Sequence, residues 1–208
     1  MDIRHPLSAV TPTLDGDVLV ALAGVDAELT GREVHRLANR GSEHGVRKAL
    51  DRLVEEGVVS RRPAGSAKLY TLNREHLAAP AIEALAGMRR ELLRRMREAV
   101  AAWRVPAVGV IVFGSFARGE ATRESDIDML VIRPSGGDAD DSDWSDQVNG
   151  LAAAVTAWTG NDARVLEYSE DEIPQLDNEE VLANAFSEGL EISGSIGRLR
   201  RVHRRGRS

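Results

Sequence analysis

The stretch that most constrains this chain is residues 108–132. Val108-Gly109-Val110-Ile111-Val112-Phe113 is short, apolar and rich in β-branched residues, as a buried strand should be. It ends at Gly114-Ser115, where glycine lets the backbone turn sharply and approach a ligand closely. Phe116-Ala117-Arg118-Gly119 can then open a helical turn, whose first N–H groups lack partners within the turn and suit a phosphate. The Ser115 hydroxyl adds one more hydrogen bond. After a spacer, Ser125-Asp126-Ile127-Asp128 leads into a second apolar run, Met129-Leu130-Val131-Ile132. Residues two apart on a strand share a face, so Asp126 and Asp128 aim together while Ile127 faces away. Paired carboxylates invite a divalent cation, and Mg²⁺ typically takes one or two of them plus substrate phosphates.

Gly-Ser followed by Asp-x-Asp, with a strand on either side, resembles the nucleotidyltransferase superfamily that includes DNA polymerase beta, and within it the small minimal type. The resemblance implies transfer of a nucleoside monophosphate from a nucleoside triphosphate to a hydroxyl acceptor, with release of pyrophosphate. It implies that Asp126 and Asp128 bind Mg²⁺, with two ions in the site. Gly114, Ser115, Arg118 and Ser125 would contact the nucleotide. A strand near residues 163–168 would supply a third carboxylate, and the only acid inside it is Glu167. Glu167 is therefore the candidate third metal ligand and general base. It is Glu where the family has Asp, it comes late in the strand, and alternation alone leaves open which face it takes.

Composition narrows the remaining classes. A chain of 208 residues can hold one domain or two small ones. The net charge of -6 argues against indiscriminate nucleic-acid binding by the whole molecule. No apolar run approaches the ~20 residues of a membrane span. The first 20 residues contain Asp2, Asp15 and Asp17 and no long apolar stretch, so no signal peptide is expected. The absence of cysteine excludes disulfides and Cys–zinc sites and fits a cytoplasmic protein.

The first third of the chain reads differently. Apolar spacing predicts a helix over residues 14–23. Thr30, with Glu33 three residues on, predicts a capped second helix to about residue 39. Residues 43–56 put Val46, Leu50, Leu53 and Val54 on one stripe, and Gly57 closes that helix. Residues 58–62 and 67–72 are two short strands around a Pro63-Ala64-Gly65-Ser66 turn. Three helices followed by a hairpin resemble a winged helix-turn-helix, over about residues 14–73. Between Thr30 and Leu72 nine Lys and Arg face five acids, a local excess that the net charge hides. In such a module the second helix of the pair enters the major groove, so Ser42, Glu43, His44, Arg47 and Lys48 would meet base edges or phosphates. Arg61, Arg62 and Lys68 on the wing would meet the backbone. The same fold also serves protein contacts and dimerisation.

Residues 75–103 read as one long helix, with a break near Pro80. An Asp- and Ser-rich loop over residues 138–146 lacks metal-loop spacing and is expected to cap a helix over 143–159. A helix over 179–189 and a strand over 190–193 follow. Six arginines and His203 fill residues 198–208, a basic tail expected to be disordered and able to serve as a phosphate-binding arm.

The whole predicts an α+β protein. Residues 1–74 form a winged helix-turn-helix, 75–104 a linker helix, 105–197 an α/β nucleotidyltransferase domain of polymerase beta type, and 198–208 a tail. The partners expected are double-stranded DNA, a nucleoside triphosphate with Mg²⁺, a protein or RNA acceptor and a second copy of the chain, with no membrane. Two alternatives stand beside the enzyme: a transcription regulator whose second domain only senses a nucleotide, and a toxin–antitoxin component.

Overall fold

The structure is a computed structural model and describes residues 1–176 and 180–205. The chain divides into two compact units, one made of residues 4–89 with Asp2, the other of residues 90–208 with Met1 and Ile3.

In the first unit a 3₁₀ turn, Pro6–Ala9, precedes α1 (Leu14–Ala23), β1 (Leu29–Thr30), α2 (Gly31–Ala38), α3 (Glu43–Glu55), β2 (Val59–Ala64), β3 (Ala67–Leu72) and α4 (Ala79–Ala86). The expected capping box forms. Glu33 N–H donates to Thr30 Oγ1 at 3.3 Å, and Thr30 N–H donates to Glu33 Oε2 at 2.7 Å. Asn39 ends α2 in the left-handed region, which a short polar side chain tolerates. Ser42 begins α3 by accepting from Gly45 N–H at 3.1 Å. The strands form an antiparallel sheet in the order β1-β3-β2. Val34, Val46, Leu50, Leu53, Val59, Tyr70 and Leu72 bury a common core with Val18 and Leu22 of α1.

The helix expected over residues 75–103 is two helices, α4 and α5 (Met88–Ala101). Gly87 separates them, and its N–H closes α4 on Glu83 O at 2.9 Å. Pro80 starts α4 and does not break it, because a proline in the first turn forfeits an N–H that has no helical partner there.

The second unit continues with β4 (Gly109–Phe113), α6 (Gly114–Arg118), β5 (Ile127–Arg133), α7 (Ser142–Thr159), β6 (Ala163–Ser169), a 3₁₀ turn at Ile173–Gln175, α8 (Glu180–Glu188), β7 (Leu190–Gly194) and α9 (Ile196–Arg205). Its sheet runs β6-β5-β4-β7, with β5 and β6 parallel and the other pairs antiparallel. Alternation sorts the strand residues onto two faces. Val110, Val112, Met129 and Val131 pack with Leu92, Met96 and Val100 of α5 and with Trp144, Val148, Leu151 and Val155 of α7. Ile111, Phe113, Leu130 and Ile132 pack with Leu182, Ala185 and Phe186 of α8 and Leu199 of α9. Each Val, Leu, Ile, Met and Phe among these gains roughly 1.5–3 kcal/mol by leaving water. Two covered faces explain why β4 and residues 129–132 of β5 are unbroken apolar runs.

The acid-rich loop does cap α7: Asp141 Oδ1 accepts from Trp144 N–H at 3.0 Å. The expectation of a disordered basic tail is corrected. Residues 196–205 form α9, because Leu199 is fully buried against the sheet and His203 reaches Ile173 O at 3.0 Å. Arg198 pairs with Glu170 at 2.6 Å, and Arg200 donates to Phe186 O. Arg207 lies outside the described residues, as does Glu179, where the sequence pattern starts α8. Among the described residues no helix is long and apolar enough to cross a membrane.

Candidate active site

The site is built where β4 turns into α6 beside the start of β5. Phe113 pairs with Asp128 across the two strands, which brings the Gly114 turn against the Asp128 carboxylate. Gly114 has φ +70°, and a Cβ there would lie 2.7 Å from Asp128 Oδ2. Glycine is thus required twice, by the backbone and by the space. Ser115 holds the following loop through its carbonyl, which accepts from Glu120 N–H at 2.8 Å and from Ala121 N–H at 3.1 Å.

Asp128 shares its face of β5 with Leu130 and Ile132, and Asp126 lies close enough for its charge to be felt there. Burial pushes the Asp128 carboxyl above its ordinary value, and the Asp126 charge adds to this, while Arg164 and Arg118 act in the opposite sense. Arg164 Nη1 lies 2.9 Å from Asp126 Oδ2. The register explains that contact, since Arg164 of β6 stands directly beside Asp128 of β5.

Glu167 is not part of this site. It pairs with Val131, three residues along the strand from Asp128, and so takes the opposite face of the sheet. There Trp144 Nε1–H donates to Glu167 Oε1 at 2.9 Å, and Arg133 forms an ion pair with the same oxygen. Glu167 and Arg133 are a largely buried structural pair on the opposite face of the sheet from Asp128. Among the described residues no group of three or more His, Cys, Asp or Glu could hold a metal.

The remaining expected residues are placed as follows. Arg118 is held charged by two carboxylates, Glu120 at 2.8 Å and Glu188 at 2.5 Å. The Ser125 hydroxyl accepts from Thr122 N–H at 3.0 Å and closes the turn before Asp126. Two residues that the sequence pattern leaves unassigned matter here. Arg164 is hidden in the sequence because its position opposite Asp128 depends on strand register. Asn161, buried after α7, reads in the sequence only as a turn. Its Nδ2 donates to Thr122 O at 2.9 Å and to Ser125 O at 2.7 Å, tying down the loop that delivers Asp126.

In the first unit a groove of about 450 Å³ opens between the start of α2, α3 and β3, lined by Arg32, Arg47, Lys68 and Tyr70 among others. His44 and Lys48 are exposed on α3. Arg47 lies 3.6 Å from Glu43 of its own helix. Arg61 pairs with Asp51 at 3.2 Å and Arg62 with Glu28, so both arginines of β2 are engaged within the unit. Ser42 is occupied as the cap of α3.

Residues 90–182 match the nucleotidyltransferase domain family. Over that segment, which is under half of the chain, the sequence is similar to nucleotidyltransferase domains. The matched segment of this domain holds Gly114, Asp126, Asp128 and Arg164 together. No curated protein matches the chain. Among solved structures, a toxin–antitoxin with AMP-PNP is similar at 14% identity, covering 55% of this chain and 82% of its own, with a TM-score of 0.40. A mutant MntA-HpeT toxin–antitoxin gives 11% identity over 55% and 82%, with a TM-score of 0.39. The tri-AMPylated Shewanella oneidensis HEPN toxin in complex with MNT antitoxin gives 11% over 57% and 82%, with a TM-score of 0.38. Overlaps this small carry nothing about what the present chain acts on.

Proposed function

We propose that the nucleotidyltransferase domain transfers a nucleoside monophosphate from a nucleoside triphosphate to a hydroxyl acceptor. The observation that carries this reading is Asp128 set against the Gly114 turn, with the charge of Asp126 felt beside it, inside the segment that matches the family. The acceptor oxygen would bond to the α-phosphorus as the bridging P–O bond to the β-phosphate breaks. Pyrophosphate leaves with that electron pair, and the acceptor's proton passes to solvent water. Gly114 and Ser115 would cradle the phosphates, with the short α6 presenting its first N–H groups. Asp126 and Asp128 would hold Mg²⁺. Two carboxylates beside a phosphate cradle are a donor set that Mg²⁺ accepts. The ion would neutralise the triphosphate and polarise it toward attack.

The unit of residues 4–89 would couple this chemistry to double-stranded DNA as a winged helix-turn-helix. Its basic excess and the groove flanked by Arg32, Arg47 and Lys68 support that reading. His44, Arg47 and Lys48 would face the major groove. A second reading, a regulator that binds nucleotide without transferring it, is favoured by the missing third carboxylate at β6. Release of pyrophosphate that requires Mg²⁺ and disappears in Asp126→Asn and Asp128→Asn separates the enzyme from the sensor. For the toxin–antitoxin alternative, the protein encoded next to this one is the acceptor to offer in the same assay.

A further inference from the structure

The β6 strand carries a cation where a third carboxylate would have to stand. Arg164 pairs in register with Asp128, so its side chain leaves the sheet on the face of the two carboxylates. Its guanidinium already bonds Asp126 at 2.9 Å. The only acid inside β6, Glu167, faces the other way and is engaged by Arg133 and Trp144. Asp162, one step before Ala163, is exposed and gives its main-chain carbonyl to Ile127 N–H at 2.8 Å. It joins no metal-holding group with the pair.

Two facts about arginine turn this substitution into a function. The guanidinium stays charged at any working pH and presents planar paired donors that match a phosphate edge. The Arg164 side chain is 70% exposed, so solvent surrounds most of it. A divalent cation arriving at Asp126 would compete with the guanidinium for the same oxygen. Arg164 would then be released a few ångströms away, beside the phosphates that arrive with the cation.

We propose that this site takes a nucleoside triphosphate with a single divalent cation, held by Asp126 and Asp128, and that Arg164 supplies the second positive charge as a phosphate-binding residue. The proposal rests on the nucleotide-binding reading above and replaces the expected second Mg²⁺ with a residue of the chain itself. It also accounts for the lack of a third carboxylate on that face of β6, since a second divalent ion beside the guanidinium would find one ligand fewer and one like charge more.

The test is to count Mn²⁺ by electron paramagnetic resonance on the full chain at saturating non-hydrolysable nucleoside triphosphate, and to measure nucleotide affinity by calorimetry. Wild type is expected to hold one Mn²⁺ per bound nucleotide. Arg164→Ala should keep that count and lose about tenfold or more in affinity, the scale of one charge-assisted contact. Arg164→Lys, which keeps the charge, should recover most of the loss. Two Mn²⁺ per nucleotide in wild type would overturn the proposal, and so would an affinity in Arg164→Ala unchanged within about twofold. Binding of no nucleotide at all would overturn the proposal together with the reading on which it rests, an outcome distinct from a wrong metal count.

Discussion

Gly114 and Asp128 are packed so closely that a single methyl group on the former would sit 2.7 Å from Oδ2 of the latter. The turn and the carboxylate are therefore one structural unit. Gly114→Ala would force a non-glycine residue to φ +70° and push the Asp128 carboxylate aside. We expect a stability loss of about 1–3 kcal/mol, the usual cost of such backbone strain, measured by denaturant unfolding. Nucleotide affinity should fall with it. A variant of wild-type stability and affinity would show that the turn tolerates a Cβ.

Glu167→Gln separates structure from chemistry. The change removes the charge that partners Arg133, whose side chain is 12% exposed. The domain should lose about 1–3 kcal/mol, as expected when a buried donor is left poorly satisfied. Its nucleotide affinity should stay at the wild-type level because Glu167 lies on the opposite face. A selective loss of Mg²⁺-dependent nucleotide binding, with stability unchanged, would return Glu167 to the site.

The division between what is and is not legible in the sequence follows from which facts are local. The Thr30–Glu33 box and the Ser42 cap depend only on residues a few positions apart, and both are present. Which residue of β6 lies beside Asp128 is set by pairing between strands far apart in the chain, so alternation within one strand cannot tell Arg164 and Glu167 apart. α9 is obscured because its arginines dominate the composition. Leu199, which anchors it, gains its burial only from parts of the chain distant in sequence. Gly87 escapes notice because the apolar spacing continues across it.

The capping box makes a pH prediction. Hydrogen bonds from the Thr30 backbone and hydroxyl hold the Glu33 carboxyl below its ordinary value of 4.5. A lowered carboxyl pKa stabilises the folded state above the unfolded value, and that contribution is lost as pH falls through 4.5 and below. Thr30→Ala should shrink the part of the acid destabilisation that comes from Glu33, followed by NMR titration of that carboxyl. The loss of the Thr30 cap itself should cost about 1 kcal/mol at neutral pH. A Glu33 that titrates identically in both proteins would contradict this.

On the DNA side, Arg47→Ala combined with Lys48→Ala should weaken binding to duplex DNA. It should also flatten the dependence on salt by about one unit of slope for each phosphate that is no longer neutralised. Fluorescence anisotropy at several salt concentrations measures both. Arg61→Ala should matter less, because Asp51 already engages that side chain at 3.2 Å. Unchanged affinity and slope in the double variant would remove α3 from the interface.

The central claim is that Asp126 and Asp128 make this domain a metal-dependent nucleotide site. Its most direct test is calorimetry of a non-hydrolysable nucleoside triphosphate, with and without Mg²⁺, on wild type and on the Asp126→Asn, Asp128→Asn double variant. The account predicts saturable binding by wild type that requires Mg²⁺ and is lost in a double variant that remains folded. Binding that ignores Mg²⁺, or that survives the loss of both carboxylates, would contradict it.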